Sequence, residues 1–383
     1  MKILHCCLSS FYIDRYNYQE NVLPRINAED GHDVKILAST EVYINNSELG
    51  YIAEGSYLTE YGVPIVRLPY KKIVCDQISR RWRDYEKLEG EIAAFAPDVI
   101  MFHGTCAVAL LAAADYKMRH PDVKLFTDVH GDASNTARNP LAKQVLHKLI
   151  YRFVIQKSLP MIDKVFYISM DAKELAGELY GIPEDKFEFL PLGGVIVDEE
   201  RKASYRTEIR KGLEIAENDI VLLHTGKMDR KKKTRDILAA LAAVDARNIR
   251  LLIAGTFPAE DREEMLSFIG RDDRVSFLGW KDWDGLMKLL CACDVYVQPG
   301  VQSATMQNAL CCGAIVMLYP WKSHEVYLKR NGWFVENRDD IEKALREIIA
   351  DPAILQGMSA NSYKLSRELL DYQKIAARLY CTH

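Results

Sequence analysis

Short apolar runs alternate with longer stretches of helical periodicity along this chain. The runs over residues 2–7, 33–38, 98–102, 124–129 and 164–168 are rich in β-branched or aromatic side chains, and the stretch 82–95 reads as helix. This spacing predicts buried parallel strands joined by crossover helices. The pattern then restarts. Residues 219–225 run into Gly226, 250–254 into Gly255, 275–278 into Gly279, 294–298 into Pro299-Gly300, and 314–318 into Tyr319-Pro320. Two consecutive sets of such units predict an α/β protein of two doubly wound domains facing across a cleft. The expected limits are 1–195 and 196–360, with the seam where Pro191, Gly193 and Gly194 precede the charged stretch DEERK. Residues 361–383 are expected to form a C-terminal helix crossing back to the first domain.

A length of 383 residues suits two domains of about 150 residues each. With 49% hydrophobic and 27% charged residues, the chain is neither disordered nor fibrous. A net charge of −4 removes a global electrostatic grip on nucleic acid, so no such partner is expected. Apolar runs such as 107–114 fall short of the ~20 residues a membrane span needs. The opening MKILHCC leads straight into polar sequence and is not read as a signal peptide. The nine cysteines are odd in number and contain no C-x-x-C, which points to free thiols in a reducing cytosol. No Cys/His cluster has zinc-ligand spacing, and no metal site is expected.

In open α/β sheets, ligands bind beyond the carboxyl ends of the strands, so chemistry is sought there. Gly226 and Lys227 follow one predicted strand, with Lys231, Lys232 and Lys233 close behind. A glycine admits backbone close to a ligand, and the lysines are donors suited to phosphate; the plain alternative is a solvated basic loop. After residues 294–298 comes a small, polar loop through Gln302, Ser303, Ala304 and Thr305, opening a helix that Ser303 is expected to cap and Gly313 to end. Such a terminus favours an anion. His103-Gly104 and His130-Gly131 each follow a predicted strand in the first half, in positions to line the cleft. Neither G-x-G-x-x-G, the P-loop nor G-x-S-x-G occurs, which argues against a dehydrogenase, a P-loop ATPase and an α/β-hydrolase.

These residues together resemble the GT-B glycosyltransferases, and within them glycosyltransferase family 4. HTGKMDRKKKTRDILAAL is similar to the family's G-[RK]-x-x-x-x-K element, with Lys227 and Lys232 at its cationic positions. LLIAG, VSFLGW, LMKLLCACDVYVQPG and NALCCGAIVML follow in the family's order, and GHDVKIL, TDVHGD and YISMDAKELAGELYGIPEDKFEFLPLGG have its look in the first half. One departure is clear. Counted back from Cys312-Gly313, the two acids of the family's E-x7-E pair fall on Gly300 and Asn308.

The resemblance implies two Rossmann-like domains and transfer of a sugar from a nucleotide-diphosphate donor, UDP-linked by preference, to a hydroxyl of a glycan or lipid-linked acceptor. It implies retention of configuration without a metal or other cofactor. Lys227, Lys232 and the turn at Ser303–Thr305 would hold the leaving diphosphate. Gly226, Gly255, Leu278, Gly279, Trp280, Gln302, Ala304 and Asn308 would complete the donor site. His130 would contact the donor or orient the acceptor, and Tyr12, Tyr18 and His103 would lie on the acceptor side. The missing acids leave open an inactive binding subunit of the same fold; a nucleotide-sugar 2-epimerase is a further alternative. The basic segments 70–88 and 141–159 read either as surface helices or as elements lying on anionic lipid. The expected location is therefore cytoplasmic, with peripheral contact on the inner membrane face if the acceptor is lipid-linked.

Overall fold

The structure, a computed structural model, describes residues 1–44, 48–73, 75–131 and 143–381, except for the side chains of 143–145. The chain divides into two compact units. One is Met1–Pro191 with Tyr372–His383, and the other is Leu192–Asp371. The second cut falls after the helix Ile354–Leu369, because that helix is tied to unit 2. Its Ser362 hydroxyl donates to the Ala314 carbonyl at 2.8 Å, and Ser359 donates to that of Gly313 at 2.7 Å.

Unit 1 holds strands β1 (Lys2–Cys7), β2 (Asp33–Ser39), β3 (Glu41–Tyr43), β4 (Leu49–Tyr51), β5 (Gly55–Leu58) and β6 (Pro64–Leu68). It continues with β7 (Val99–Phe102), β8 (Lys124–Val129), β9 (Lys164–Tyr167) and β10 (Phe187–Phe189). Its main sheet runs β10-β9-β8-β7-β1-β2-β6-β5, parallel except for the edge pair β5–β6, while β3 and β4 form a separate antiparallel ribbon. Successive side chains of β1 enter opposite layers. Leu4 and Cys6 join Ile100, Phe102 and Leu110 on one face, and Ile3 and Cys7 join Leu23, Met101 and Ile375 on the other. Both faces are covered, which is why the parallel strands read as nearly continuous apolar runs.

Unit 2 holds β11 (Ile220–Lys227), β12 (Ile249–Thr256), β13 (Val275–Gly279), β14 (Val295–Gln298), β15 (Ile315–Leu318) and β16 (Gly332–Phe334) in one parallel sheet ordered β13-β12-β11-β14-β15-β16. Counted within the unit, this is the doubly wound order 3-2-1-4-5-6, with its reversal point between β11 and β14. Unit 1 reverses in the same manner between β1 and β7. The carboxyl ends of those four strands are where the fold leaves a crevice.

The structure corrects several sequence expectations. The helix anticipated over 82–95 is two helices, Asp76–Trp82 and Leu88–Phe95, broken where Arg83 and Lys87 take φ values of 53° and 63°. The strands β3, β4, β5, β10 and β16 lack a clear apolar run because they are short or exposed, whereas β6 is buried but its apolar run is interrupted by Arg67. The basic segment 70–88 is not one amphipathic face. Its Lys71 pairs with Asp84 and Glu89, Arg80 with Glu41, and Arg83 donates to the Ser9 carbonyl. In the second segment, residues 141–142 lie outside the described residues; a π-helical stretch Lys143–Tyr151 leads into the helix Arg152–Ser158. Leu149 and Phe153 there are each 64% exposed. Among the described residues no helix is long and apolar enough to cross a membrane.

Candidate functional site

In unit 2, β11 delivers Gly226 (φ 122°) and Lys227 at its carboxyl end. The chain then tightens into the 3₁₀ turn Arg230–Lys232, where the Asp229 carboxylate accepts the Lys232 N–H at 3.2 Å. Lys227 is exposed, whereas Lys232 is only 7% exposed. A methyl group on Gly226 would lie 3.0 Å from the Lys232 ammonium, so the glycine is the lid under which this lysine fits. Burial pulls the Lys232 pKa down, opposed by the charge of Asp229. An ammonium held in that state lacks much of its solvation, which a bound anion would replace. Beneath it, His224 bonds the Val297 carbonyl at 2.8 Å and Thr234 Oγ1 at 3.1 Å. Burial lowers its pKa to about 4, so it is neutral. Gly255 pairs with Gly226 across β11 and β12.

At the end of β14, Gly300 meets the lysine turn. Its carbonyl accepts the Trp321 indole N–H at 2.8 Å, and a Cβ at this position would lie 1.8 Å from the Lys231 carbonyl oxygen. No side chain fits at Gly300 unless the turn moves. Ser303 is not the N-cap of the helix Thr305–Cys311. That place falls to Ala304, which has no side chain to cap with, and Ser303 Oγ takes the Thr305 N–H at 3.4 Å from one residue too early. Asn308 is 8% exposed, and its amide contacts the Val195 N–H at 3.4 Å and the Ala304 carbonyl at 3.5 Å. It braces the chain at Gly194-Val195. Leu278 and Gly279 end the edge strand β13, followed by Trp280, which is 62% exposed. Gln302 lies in the loop between β14 and the helix Thr305–Cys311. Asp282-Trp283-Asp284 spells D-x-D, but Asp282 caps its helix by accepting the Gly285 N–H at 2.9 Å, and Asp284 pairs with Lys288 at 3.5 Å. Among the described residues no group of His, Cys, Asp and Glu could hold a metal ion.

In unit 1, the carboxyl ends of β1, β7 and β8 surround a cavity of about 320 Å³ lined by Ser9, Ser10, Glu20, Arg83, Thr105 and His130, among others. His130 stands just past β8. Asp128, two residues earlier, is fully buried and its Oδ2 lies 3.1 Å from His130 Nε2 and 3.2 Å from His103 Nδ1. Its Oδ1 accepts the Gly104 N–H at 2.6 Å. Behind it, His103 Nε2 is 3.1 Å from His5 Nδ1, and His5 Nε2 is 2.9 Å from Asn27 Oδ1. Two acceptor-side expectations need correction here. His103 is fully buried in this network, and Tyr12 is 2% exposed with its ring 5.3 Å from the Arg67 guanidinium. His103 supports the pocket from behind through Asp128, and Tyr12 belongs to the apolar layer with Ile3, Cys7 and Leu23. Tyr18 is 51% exposed and packs on Tyr16. Asp128, Glu20 and Arg83 were missed by sequence reasoning. The signal for Asp128 was present: an acid inside an apolar strand run is buried only if paired.

Comparison with known proteins agrees with this architecture. Residues 25–193 match the family described as Glycosyl transferase 4-like domain, and residues 205–365 match Glycosyl transferases group 1. Over 228 residues the chain is 25% identical to an uncharacterised glycosyltransferase of Methanocaldococcus jannaschii, covering 56% of this chain and 57% of that protein. The chain therefore spans a little over half the length of that curated relative. Among solved structures, HepE of Anabaena in complex with UDP superposes with a TM-score of 0.67 at 16% identity, over 99% of this chain and 98% of that one. A glycosyltransferase from Rickettsia africae gives 0.68 at 10% identity, over 98% and 96%. Sucrose-phosphate synthase of Thermosynechococcus elongatus gives 0.62 at 15% identity, over 98% and 96%. At these identities the structural likeness speaks for the fold. With the two family matches following one another along the chain, this protein belongs to the GT-B glycosyltransferases, with a glycosyltransferase 4-like first half and a group 1 second half.

Proposed function

We propose that this protein is an enzyme that transfers a sugar from a nucleoside-diphosphate donor to a hydroxyl acceptor, with retention of configuration and without a metal. Unit 2 holds the donor. Lys232 and Lys227 stabilise the negative charge that grows on the departing diphosphate, as preorganised donors do at any developing oxyanion. The observation that carries this reading is the Lys232 ammonium, buried under Gly226 at the reversal point of the sheet. The bond between the sugar's anomeric carbon and the phosphate oxygen breaks, the acceptor oxygen bonds the same carbon, and the acceptor proton passes to the departing phosphate. No protein base is needed. Unit 1 takes the acceptor in the pocket beside His130, which orients it. UDP is preferred over GDP and ADP as the nucleotide.

A screen of UDP-, GDP- and ADP-sugars, each with and without EDTA, tests this directly. Turnover of at least one donor, unchanged by EDTA, is expected. Loss of all turnover in EDTA overturns the metal-free assignment. The absent carboxylates at Gly300 and Asn308 favour a second reading, a nucleotide-binding subunit without activity. Calorimetric UDP binding with no turnover of any donor would establish it. We also propose a lipid-linked acceptor. Its support is the pair Leu149 and Phe153, exposed beside Lys148, Arg152 and Lys157. The protein should float with anionic vesicles, and L149D/F153D should stay in the soluble fraction. No flotation of the parent protein refutes the membrane contact.

A further inference from the structure

The pocket of unit 1 holds a carboxylate that reaches no solvent. Asp128 is 0% exposed, and three groups share its two oxygens: the Gly104 N–H, the His103 ring and the His130 ring. Sequestering such a charge costs several kcal/mol unless a cation sits beside it. Two rings are near enough to be that cation. His103 is fully buried and abuts a second fully buried imidazole, His5, at 3.1 Å. A proton on His103 would therefore be desolvated on every side. The His130 side chain is 31% exposed and borders the cavity. The proton costs least there.

We propose that Asp128 is a positioning residue that holds His130 on the pocket wall as an imidazolium, so that His130 serves the ligand as a cationic hydrogen-bond donor and not as a general base. The inference deepens the proposed function and rests on it only for the identity of the ligand. His130 Nε2 lies 3.1 Å from Asp128 Oδ2 as an ion-pair contact without the alignment of a hydrogen bond, so charge and not a neutral hydrogen bond holds the ring there. The chain of contacts His103–His5–Asn27 fixes the carboxylate in turn. An imidazolium has no lone pair with which to take the acceptor proton. The proton is then left to the departing phosphate, which agrees with a transfer that uses no protein base.

The electrostatics point the same way. Burial alone would pull His130 down, but the Asp128 carboxylate outweighs it and lifts the ring from 6.5 to about 9. Burial lowers His5 to about 3, which keeps it neutral. The other groups around the pocket come from every element that borders it. Glu20, from the helix Gln19–Glu29, adds negative charge that favours the imidazolium, and Arg83 lines the same pocket. Cys106 and Tyr180 are pushed up by burial and stay uncharged, and His147 bonds the Tyr180 hydroxyl at 2.8 Å. His130 is thus charged at pH 7 and loses its proton only as the pH rises through about 9.

The test is an imidazole 15N NMR titration of the full chain with labelled histidine, His130→Gln assigning the signal. In the parent protein His130 should titrate at least two pH units above an ordinary histidine. A midpoint at or below 6.5, or an imidazolium found at His103 in place of His130, overturns the proposal. The isosteric Asp128→Asn should bring the His130 midpoint below 7. Turnover of an identified donor by Asp128→Asn should fall at least 10-fold at pH 8 and recover in part at pH 6, where a larger fraction of the rings is protonated. A loss equal at both pH values shows a merely structural role and also overturns it. Absence of any turnover in the parent protein would refute the transferase reading while leaving the titration result standing.

Discussion

Lys232→Met is a substitution for which function and stability should move in opposite directions. Methionine keeps the length and most of the volume of the lysine stem under Gly226 but removes the ammonium. Lys232 is 7% exposed, and Asp229 is the charge that favours its ionised form among the described residues. The folded protein therefore carries a poorly compensated buried cation. Replacing buried charge by a well-packed apolar group is often stabilising, by about 1–4 kcal/mol for ion pairs. Taking the low end, ~1 kcal/mol corresponds to about 2–4 °C in the melting temperature of a domain this size. The lowered pKa sets the sign with pH. The unfolded chain binds the proton more tightly than the folded one, so the penalty is present at pH 7 and fades as the pH climbs toward the unfolded value near 10. On the functional side, removal of one preorganised donor from a developing oxyanion costs ~100- to 1,000-fold in turnover. Differential scanning fluorimetry at pH 7 and pH 9.5, with donor turnover measured alongside, checks both. The stabilisation should be larger at pH 7. A variant that melts lower and keeps its turnover would show that Lys232 is a structural cation, and the diphosphate assignment would fall with it.

Gly300→Ala should weaken UDP binding, because the added methyl would sit 1.8 Å from the Lys231 carbonyl and must displace the lysine turn. Overpacking of about 1–3 kcal/mol corresponds to roughly 5- to 150-fold in affinity by calorimetry, and an unchanged affinity would show that the turn is not part of the nucleotide site. Acid should destabilise both units. His224 and His5 are fully buried with pKa values lowered to about 4 and about 3, so only the unfolded chain takes up their protons below pH 6.5. Stability present above pH 6.5 should then be lost on acidification at up to ~1.4 kcal/mol per pH unit for each histidine. Thermal melts between pH 7.5 and 5 measure it, and His224→Gln should flatten the slope for unit 2. A melting temperature constant down to pH 5 contradicts the buried neutral state.

The two sets of parallel strands were legible because a strand covered on both faces writes a dense apolar run into the sequence. β1, β8, β11 and β14 are of this kind. β5 is exposed at every position and β16 is three residues long, so neither leaves such a trace. The break at Arg83 was hidden because a left-handed arginine has no signature without a glycine. At the site, the lysines and His130 stood out by following strands. What one sequence cannot display is pairing across strands. Asp128 gains its meaning from His103, just past the neighbouring β7, and from His130, and Gly300 from a carbonyl of the turn after β11. Ser303 looked like a cap by residue type, yet the helix starts one residue later than its hydroxyl can serve.

Unit 1 is assembled from the beginning and the end of the chain. Ile375, Ala376 and Leu379 fill the same apolar layer as Val22, Leu23 and Ile26, with all of unit 2 inserted between them. During synthesis, that layer stays open to solvent until Ile375, Ala376 and Leu379 leave the ribosome, by which time unit 2 has had time to fold. A nascent chain stalled before Tyr372 would carry a finished second unit and a first unit with one greasy flank bare, the form that chaperones and proteases recognise. Losing Ile375, Ala376 and Leu379 therefore threatens the distant unit 1 more than the sequence that precedes them.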